Sequence, residues 1–262
     1  MLQHTQYFRN GLDYRLGEQA NFNDIKQTFG LRHISVGKWV TADESKIAAN
    51  LIFDSLADLS QILNVPTELI GLRKTLNMLF GRGGQKGVQA HYSPSTRELA
   101  LAKNAGAGAL AHEFWHAFDH YIVAKAFEDR HSKYACASDL WLNDHLLKPH
   151  ALNDKLSHLF KLVLLSEDGQ SASEFVTNAI KVDKLQGSYY FSKPTELMAR
   201  AFESSIESFG SLSNNYLVSG TTKSDQATRL IYPNVGHREQ IMAAILDYFS
   251  LLGAAFERSS AQ

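Results

Sequence analysis

His112-Glu113-Phe114-Trp115-His116 stands in the middle of a strongly helical stretch, Ala105 to Ala126, and its reading organises the rest of the chain. At 3.6 residues per turn, histidines four apart leave the same helix face about one turn apart, so both imidazoles can hold one metal ion. Glu113 lies beside them, able to take a proton from a metal-associated water, which is the mechanical content of the H-E-x-x-H pattern. The helix is read from its small starting residues and from Leu110, Phe114, Phe118 and Val123 spaced among polar positions. Two helical histidines that only meet solvent or a hydrogen-bond partner are the alternative reading.

Zinc needs at least a third protein ligand, with one position left open in a catalytic site. A third histidine six residues after His116 is ruled out, because that position is Ile122. A distant carboxylate is the remaining common solution, and the best candidate is Glu196, in the first turn of a helix that Pro194 opens. Glu196 is equally suited to complement the helix dipole and to pair with Arg200 at i+4 on a surface. Glu203, at i+7, is the other candidate ligand, or a carboxylate that supports one. Asp119, one turn beyond His116, can hold an imidazole N–H or stand solvated.

The composition constrains the metal further. A single cysteine, Cys136, in 262 residues excludes an internal disulfide and a thiolate cage, so zinc here must take nitrogen and oxygen ligands. With 26 Lys plus Arg against 27 Asp plus Glu the formal charge is −1, which removes the basic field of a non-specific nucleic-acid binder. No run of 18 apolar residues suggests a membrane span, and the polar start gives no secretory signal, so the expected compartment is the cytoplasm. Oligomeric state is not legible.

The expected fold is α+β, with a small mixed sheet in the N-terminal half and a mostly helical C-terminal half. Residues 1–24 read as an arm, and 25–262 as one domain with an α/β lobe over about 25–127 and a helical lobe over about 128–256. Ile34 to Val40 reads as a strand. Thr41 and Glu44 form a capping box for the helix that follows, and strands are expected within Leu72–Phe80, Val88–Tyr92 and Arg97–Ala102. The glycines from Gly81 to Gly87 read as a hairpin or a substrate-side loop rather than a phosphate cradle, His91 as a packing residue, and Cys136 as a core or half-buried one. Helices are expected over Leu152–Leu165, Glu174–Ile180, Pro194–Phe209 and Gly236–Leu252.

His112-Glu-Phe-Trp-His-Ala-Phe-Asp-His-Tyr121 and Glu196-Leu-Met-Ala-Arg-Ala-Phe202 together resemble the ligand helices of zincin metallopeptidases whose third ligand is a glutamate, as in the protease domain of anthrax lethal factor. That resemblance implies a zincin-like fold, zinc as cofactor, Glu196 as third ligand and Tyr189, seven residues earlier, as a catalytic aid to Glu113, with the adjacent Tyr190 as the alternative. It also implies that the strand before the motif helix borders the cleft as an edge strand. From Phe29 to Glu203 the chain is similar to the large polyvalent-protein-associated domain family of phages and mobile elements. Its shared features are F-G-x-R at Phe29, G-x-W-V at Gly37, the A-H-Y of Ala90 to Tyr92, and P-T-E-x-x-A-R-A-F-E at Pro194. The expected function is a zinc metallopeptidase acting on a peptide or protein substrate; a zincin-fold binding or structural module without peptidase activity is the alternative. The 80 residues from His116 to Glu196 (196 − 116 = 80) imply a helical insertion between the ligand helices, expected to shape or cover the cleft.

Overall fold

The computed structural model describes residues 7–81, 90–103, 108–222 and 230–260. The protein is mixed α+β, with four short strands in the first half and helices through the remainder. The elements are α1 (Phe22–Thr28), β1 (His33–Val36), α2 (Ala42–Leu63), α3 (Thr67–Ile70), β2 (Asn77–Phe80), β3 (Ala90–Ser93) and β4 (Glu98–Leu101). They continue with α4 (Leu110–Ala126), α5 (Ala137–Leu142), α6 (Ala151–Leu164), α7 (Glu174–Gln186), α8 (Pro194–Glu207) and α9 (Val235–Ser260).

Local chemistry sets several boundaries. Thr41 Oγ1 accepts from the Glu44 N–H while the Glu44 carboxylate accepts from the Thr41 N–H, so the capping box opens α2 where its spacing predicts. The run expected as a strand to Val40 stops at Val36, because residues 37–41 turn the chain into that cap. Within 72–80, Leu72, Arg73 and Lys74 take left-handed φ of +52°, +56° and +59°, and only Asn77–Phe80 pairs as a strand. Three such residues in succession cost about 1–2 kcal/mol each for side chains with a Cβ. Residues 82–89, which hold most of the glycine-rich segment and the start of the strand expected from Val88, lie outside the described residues.

The sheet order is β1-β2-β4-β3, with β1, β2 and β4 parallel and β3 antiparallel to β4. This corrects the expectation that the strand just before the motif helix forms the edge. β4 is interior: Arg97, at φ +53°, reverses the chain so that β3 pairs along one side of β4, while β2 occupies the other. The sheet edges are therefore β1 and β3, and β3 is the edge next to β4.

Buried side chains from Ile25 to Phe249 form one contiguous core under the sheet and between the helices. Residues 7–21 are anchored along α2 by two Arg–carboxylate forks, Arg9 on Asp58 (2.7 and 2.8 Å) and Arg15 on Asp54 (2.9 and 3.0 Å). Length and composition alone would let α9 cross a membrane, but Ile241, Ile245, Tyr248 and Phe249 are buried and the helix packs on α6, α8 and α2.

Candidate metal centre

The middle residues of the motif build the scaffold. Phe114 and Trp115 are fully buried, and the Phe202 ring of α8 lies 6.0 and 5.0 Å from theirs, centroid to centroid. Phe249 of α9 closes the cluster, 4.9 Å from Phe118 and 6.3 Å from Phe202. Burial of these rings holds α4 against α8, which leaves His112 and His116 on one helix opposite Glu196 and Glu203 on the other. The start of α4 is held separately: the Gly108 and Ala111 N–H groups donate to the carbonyls of Tyr216 and Leu217 at 2.9 and 3.1 Å. Gly108 has φ +84°, and a Cβ there would run into Ser219.

Three donors converge. His112 Nε2 and His116 Nε2 are 3.0 Å apart; Glu196 Oε1 is 3.4 Å from His116 Nε2, and Glu196 Oε2 is 3.6 Å from His112 Nε2. Metal–ligand bonds of about 2.0 Å on a tetrahedron require ligand separations of roughly 3.3 Å, so this trio has the spacing a zinc-sized ion needs. Glu196 Oε2 is buried without a hydrogen-bond partner among the described residues, a cost of about 1–3 kcal/mol that a bound cation would offset. With Glu113 and Glu203 also buried, three carboxylates face two imidazoles, a nitrogen and oxygen donor set short of positive charge.

The surroundings orient these donors. Glu203 Oε1 accepts from His112 Nδ1–H at 3.0 Å, which leaves Nε2 as the ring nitrogen facing Glu196 and His116. The same oxygen accepts from the Tyr232 hydroxyl (3.1 Å), which in turn accepts from Arg200 Nη1 (3.3 Å). Arg200 Nη2 lies 3.9 Å from Glu196 Oε2. Burial works against a charged His112 ring, but Glu203 and Glu196 outweigh it and raise its pKa. Burial alone would raise the Glu196 pKa; the adjacent His112 and His116 rings prevail and hold it below the usual carboxylate range. Glu113 is shifted upward by burial, opposed by the two histidines and by a hydrogen bond from the Tyr92 backbone.

His112, Glu113, His116 and Glu196 line a cleft of about 380 Å³. Tyr189, the tyrosine implied by the resemblance, is 68% exposed and does not line it; Tyr190 does. The Tyr190 phenol is pushed up to about 12 by burial and by Glu196 facing it. Glu203 supports His112 from behind. Arg200 is not a surface partner of Glu196, since it is largely buried with its guanidinium 4.9 Å from the Phe191 ring. Asp119 is neither solvated nor an imidazole partner, because its oxygens accept from the N–H and Oγ of Ser138 at 2.8 and 2.6 Å, tying α5 to α4. His91 is exposed on the rim rather than packed.

Of the chain between the two ligand helices, Cys136 and Tyr190 line the cleft among the described residues; α6 packs instead into the core against α9 and α8. Two contributors carried no sequence signal: Tyr232, a lone tyrosine far from any motif, and Asp183, whose carboxylate accepts from the Tyr190 N–H (3.1 Å) through a loop geometry that spacing does not reveal.

The fold and site thus define a mixed α+β protein with a His-His-Glu group able to hold a metal ion, set between two helices. The family described as large polyvalent protein-associated domain 1 matches residues 182–256, which supports the family resemblance. That match includes Tyr190, Glu196, Glu203 and Tyr232, and excludes the H-E-x-x-H helix and the features quoted before Pro194. No curated protein and no solved structure matches the chain.

Proposed function

We propose that this chain is a zinc-dependent peptidase in which His112, His116 and Glu196 hold the metal and Glu113 is the general base. The observation that carries this reading is the convergence of the three donor side chains, with the unpartnered Glu196 Oε2, beside a buried glutamate in an open cleft. Bound there, zinc would supply Lewis acidity to a carbonyl and bring water within reach of a carboxylate base. The chain's own residues divide the remaining work. Glu113, with its pKa raised by burial, accepts a proton from water and passes it to the departing amine nitrogen. Tyr190, on the Glu196 side, donates its phenol to the oxygen on which negative charge develops. Glu203 holds the His112 tautomer. The β3 edge borders the same cleft through Ala90, His91 and Tyr92, where an extended substrate can pair along the sheet. The zincin-like fold and its glutamate-zincin ligand set belong to this same proposal.

The test combines metal uptake with turnover of a fluorogenic peptide library. Wild type takes up about one equivalent of zinc, and Glu113→Gln keeps that uptake while losing about 10²–10⁴-fold in hydrolysis. A wild type that takes up no zinc, or a Glu113→Gln protein as active as wild type, overturns the reading; zinc uptake with no hydrolysis by either protein identifies a binding module instead.

A further inference from the structure

The far end of α4 borders a second cavity, of about 460 Å³, closed by α6, α9 and the turn after α3. Its walls are largely apolar, contributed by Leu69, Ile122, Leu152, Tyr248, Leu252 and Phe256. No Asp or Glu lines it, whereas Arg73, Lys125 and Lys148 do. None of these three cations forms an ion pair among the described residues. Arg73 donates to Ser259 Oγ (2.7 Å), Lys148 donates to the carbonyls of Ala124 and Lys125 (3.2 and 3.3 Å), and the Lys125 ammonium stands 5.0 Å from the Tyr121 ring centroid.

In a chain of net charge −1, three unpaired cations over an acid-free cavity are a local imbalance. The Lys125 pKa is lowered by burial and by the positive charges of Arg73 and Lys148. The turn that brings Arg73 there is the left-handed run Leu72–Lys74. Backbone in that region persists where the surroundings enforce it, and such strain concentrates at binding sites. Lys125 and Lys148 also line an adjoining, more polar cavity of about 530 Å³ together with Arg97, Glu128, Asp129, Arg130 and Lys133, so acids border the polar chamber and none borders the apolar one. The cations therefore mark a boundary between an apolar chamber and a polar one.

We infer that this cavity binds a free amphipathic anion of the fatty-carboxylate class, with its alkyl chain in the apolar chamber and its carboxylate among Arg73, Lys125 and Lys148. A small inorganic anion would leave the chamber unused, and a neutral alkane or alcohol would leave the cations unpaired; only a molecule with both halves satisfies both. The volume lies within the roughly 300–1,000 Å³ of small-molecule sites. None of these residues lines the metal cleft, so the inference stands apart from the proposed peptidase activity.

Calorimetric titration of the full chain, in chelator, with sodium dodecanoate below its micellar concentration tests this directly. One saturable site is expected. Lys125→Gln with Arg73→Gln weakens it roughly tenfold or more, dodecanol binds at least about tenfold more weakly than dodecanoate, and Ala255→Trp abolishes binding by filling the chamber. Circular dichroism and melting temperature establish that each variant is folded, and the two surface cations provide a readout should the tryptophan variant fail to fold. No saturable binding by wild type, equal affinity in the charge variant, or equal affinity for dodecanol overturns the inference. Binding to phosphatidylglycerol vesicles without binding to monomeric dodecanoate also overturns it, and assigns the patch to a membrane surface.

Discussion

His112 is engaged on both ring nitrogens by different glutamates, with Glu203 accepting from Nδ1–H at 3.0 Å and Glu196 lying 3.6 Å from Nε2. Two carboxylates seven residues apart on α8 therefore do separate jobs, one facing the candidate metal position and one fixing the ring. The division follows from helix geometry, since i and i+7 share a face but are two turns apart. It makes Glu203→Ala a specific test. Loss of the partner to a metal-ligating histidine costs about 10–100-fold in metal affinity, so competitive chelator titration of Glu203→Ala should show a drop of that size, whereas Glu196→Ala should abolish uptake. Equal zinc affinity in wild type and Glu203→Ala would remove Glu203 from the site. The H-E-x-x-H triplet and Glu196 were legible as residue types at meaningful spacing. The choice of Tyr190 over Tyr189 was not, because neighbouring residues in a loop point in directions that only backbone torsions set.

At the scale of elements, the loop between α7 and α8 is organised by one side chain. Asp183 accepts from the N–H groups of Tyr190, Phe191 and Ser192 (3.1, 3.0 and 2.8 Å) and from the hydroxyls of Ser188 and Ser192 (2.9 and 2.7 Å). It thereby fixes both the segment that presents Tyr190 and the approach to α8, which carries Glu196. Burial opposes its charge, but these hydrogen bonds prevail and depress its pKa below the usual carboxylate range. The linkage then has a definite sign: the folded value lies below the unfolded one of about 3.9, so the stabilisation is present above about pH 4 and is lost as pH falls through the folded value. Asp183→Asn should lower stability by about 2–3 kcal/mol at pH 7, with the gap from wild type narrowing below about pH 4. Denaturant melts at pH 7 and pH 3 measure both, and a gap that is unchanged at pH 3 would refute the charge assignment. Element identity was largely readable from periodicity and caps. Strand order was not: β4 was read as an edge because it precedes the motif helix, yet the turn at Arg97 and the competition between β2 and β3 for its two sides put it inside the sheet.

For the whole molecule, distant segments converge on the start of the motif helix. Asp58 on α2 accepts from Arg9 of the N-terminal segment and from Asn214 Nδ2 (2.7 Å), while Asn214 Oδ1 accepts from the N–H groups of Tyr216 and Leu217, whose carbonyls receive the first turn of α4. Metal binding to such a centre draws on the global fold, because α4 and α8 cannot hold the donor trio unless the core between them is formed. A ligand that binds only the folded state adds about 2.7 kcal/mol at a free concentration of 100 times its dissociation constant. Zinc at that excess should therefore raise the melting temperature by roughly 5–10 °C for a chain of this size. EDTA should reverse the shift, and His112→Ala should not show it; a melting temperature indifferent to zinc would count against the metal centre.

What the sequence by itself determined is the chemistry available: two histidines and a glutamate at helical spacing, a later glutamate at a helix start, one cysteine, and the periodic apolar faces that make the second half helical. These are local properties, set by spacing along one element. The tertiary structure alone decided which carboxylate faces the histidines and which stands behind them, which tyrosine reaches the cleft, that β4 lies inside the sheet, and where, among the described residues, three cations line a cavity that no acid lines. Each of those depends on how separate elements pack, through the burial of Phe114, Trp115 and Phe202 and the pairing of β4 on both sides, and no spacing along the chain encodes it.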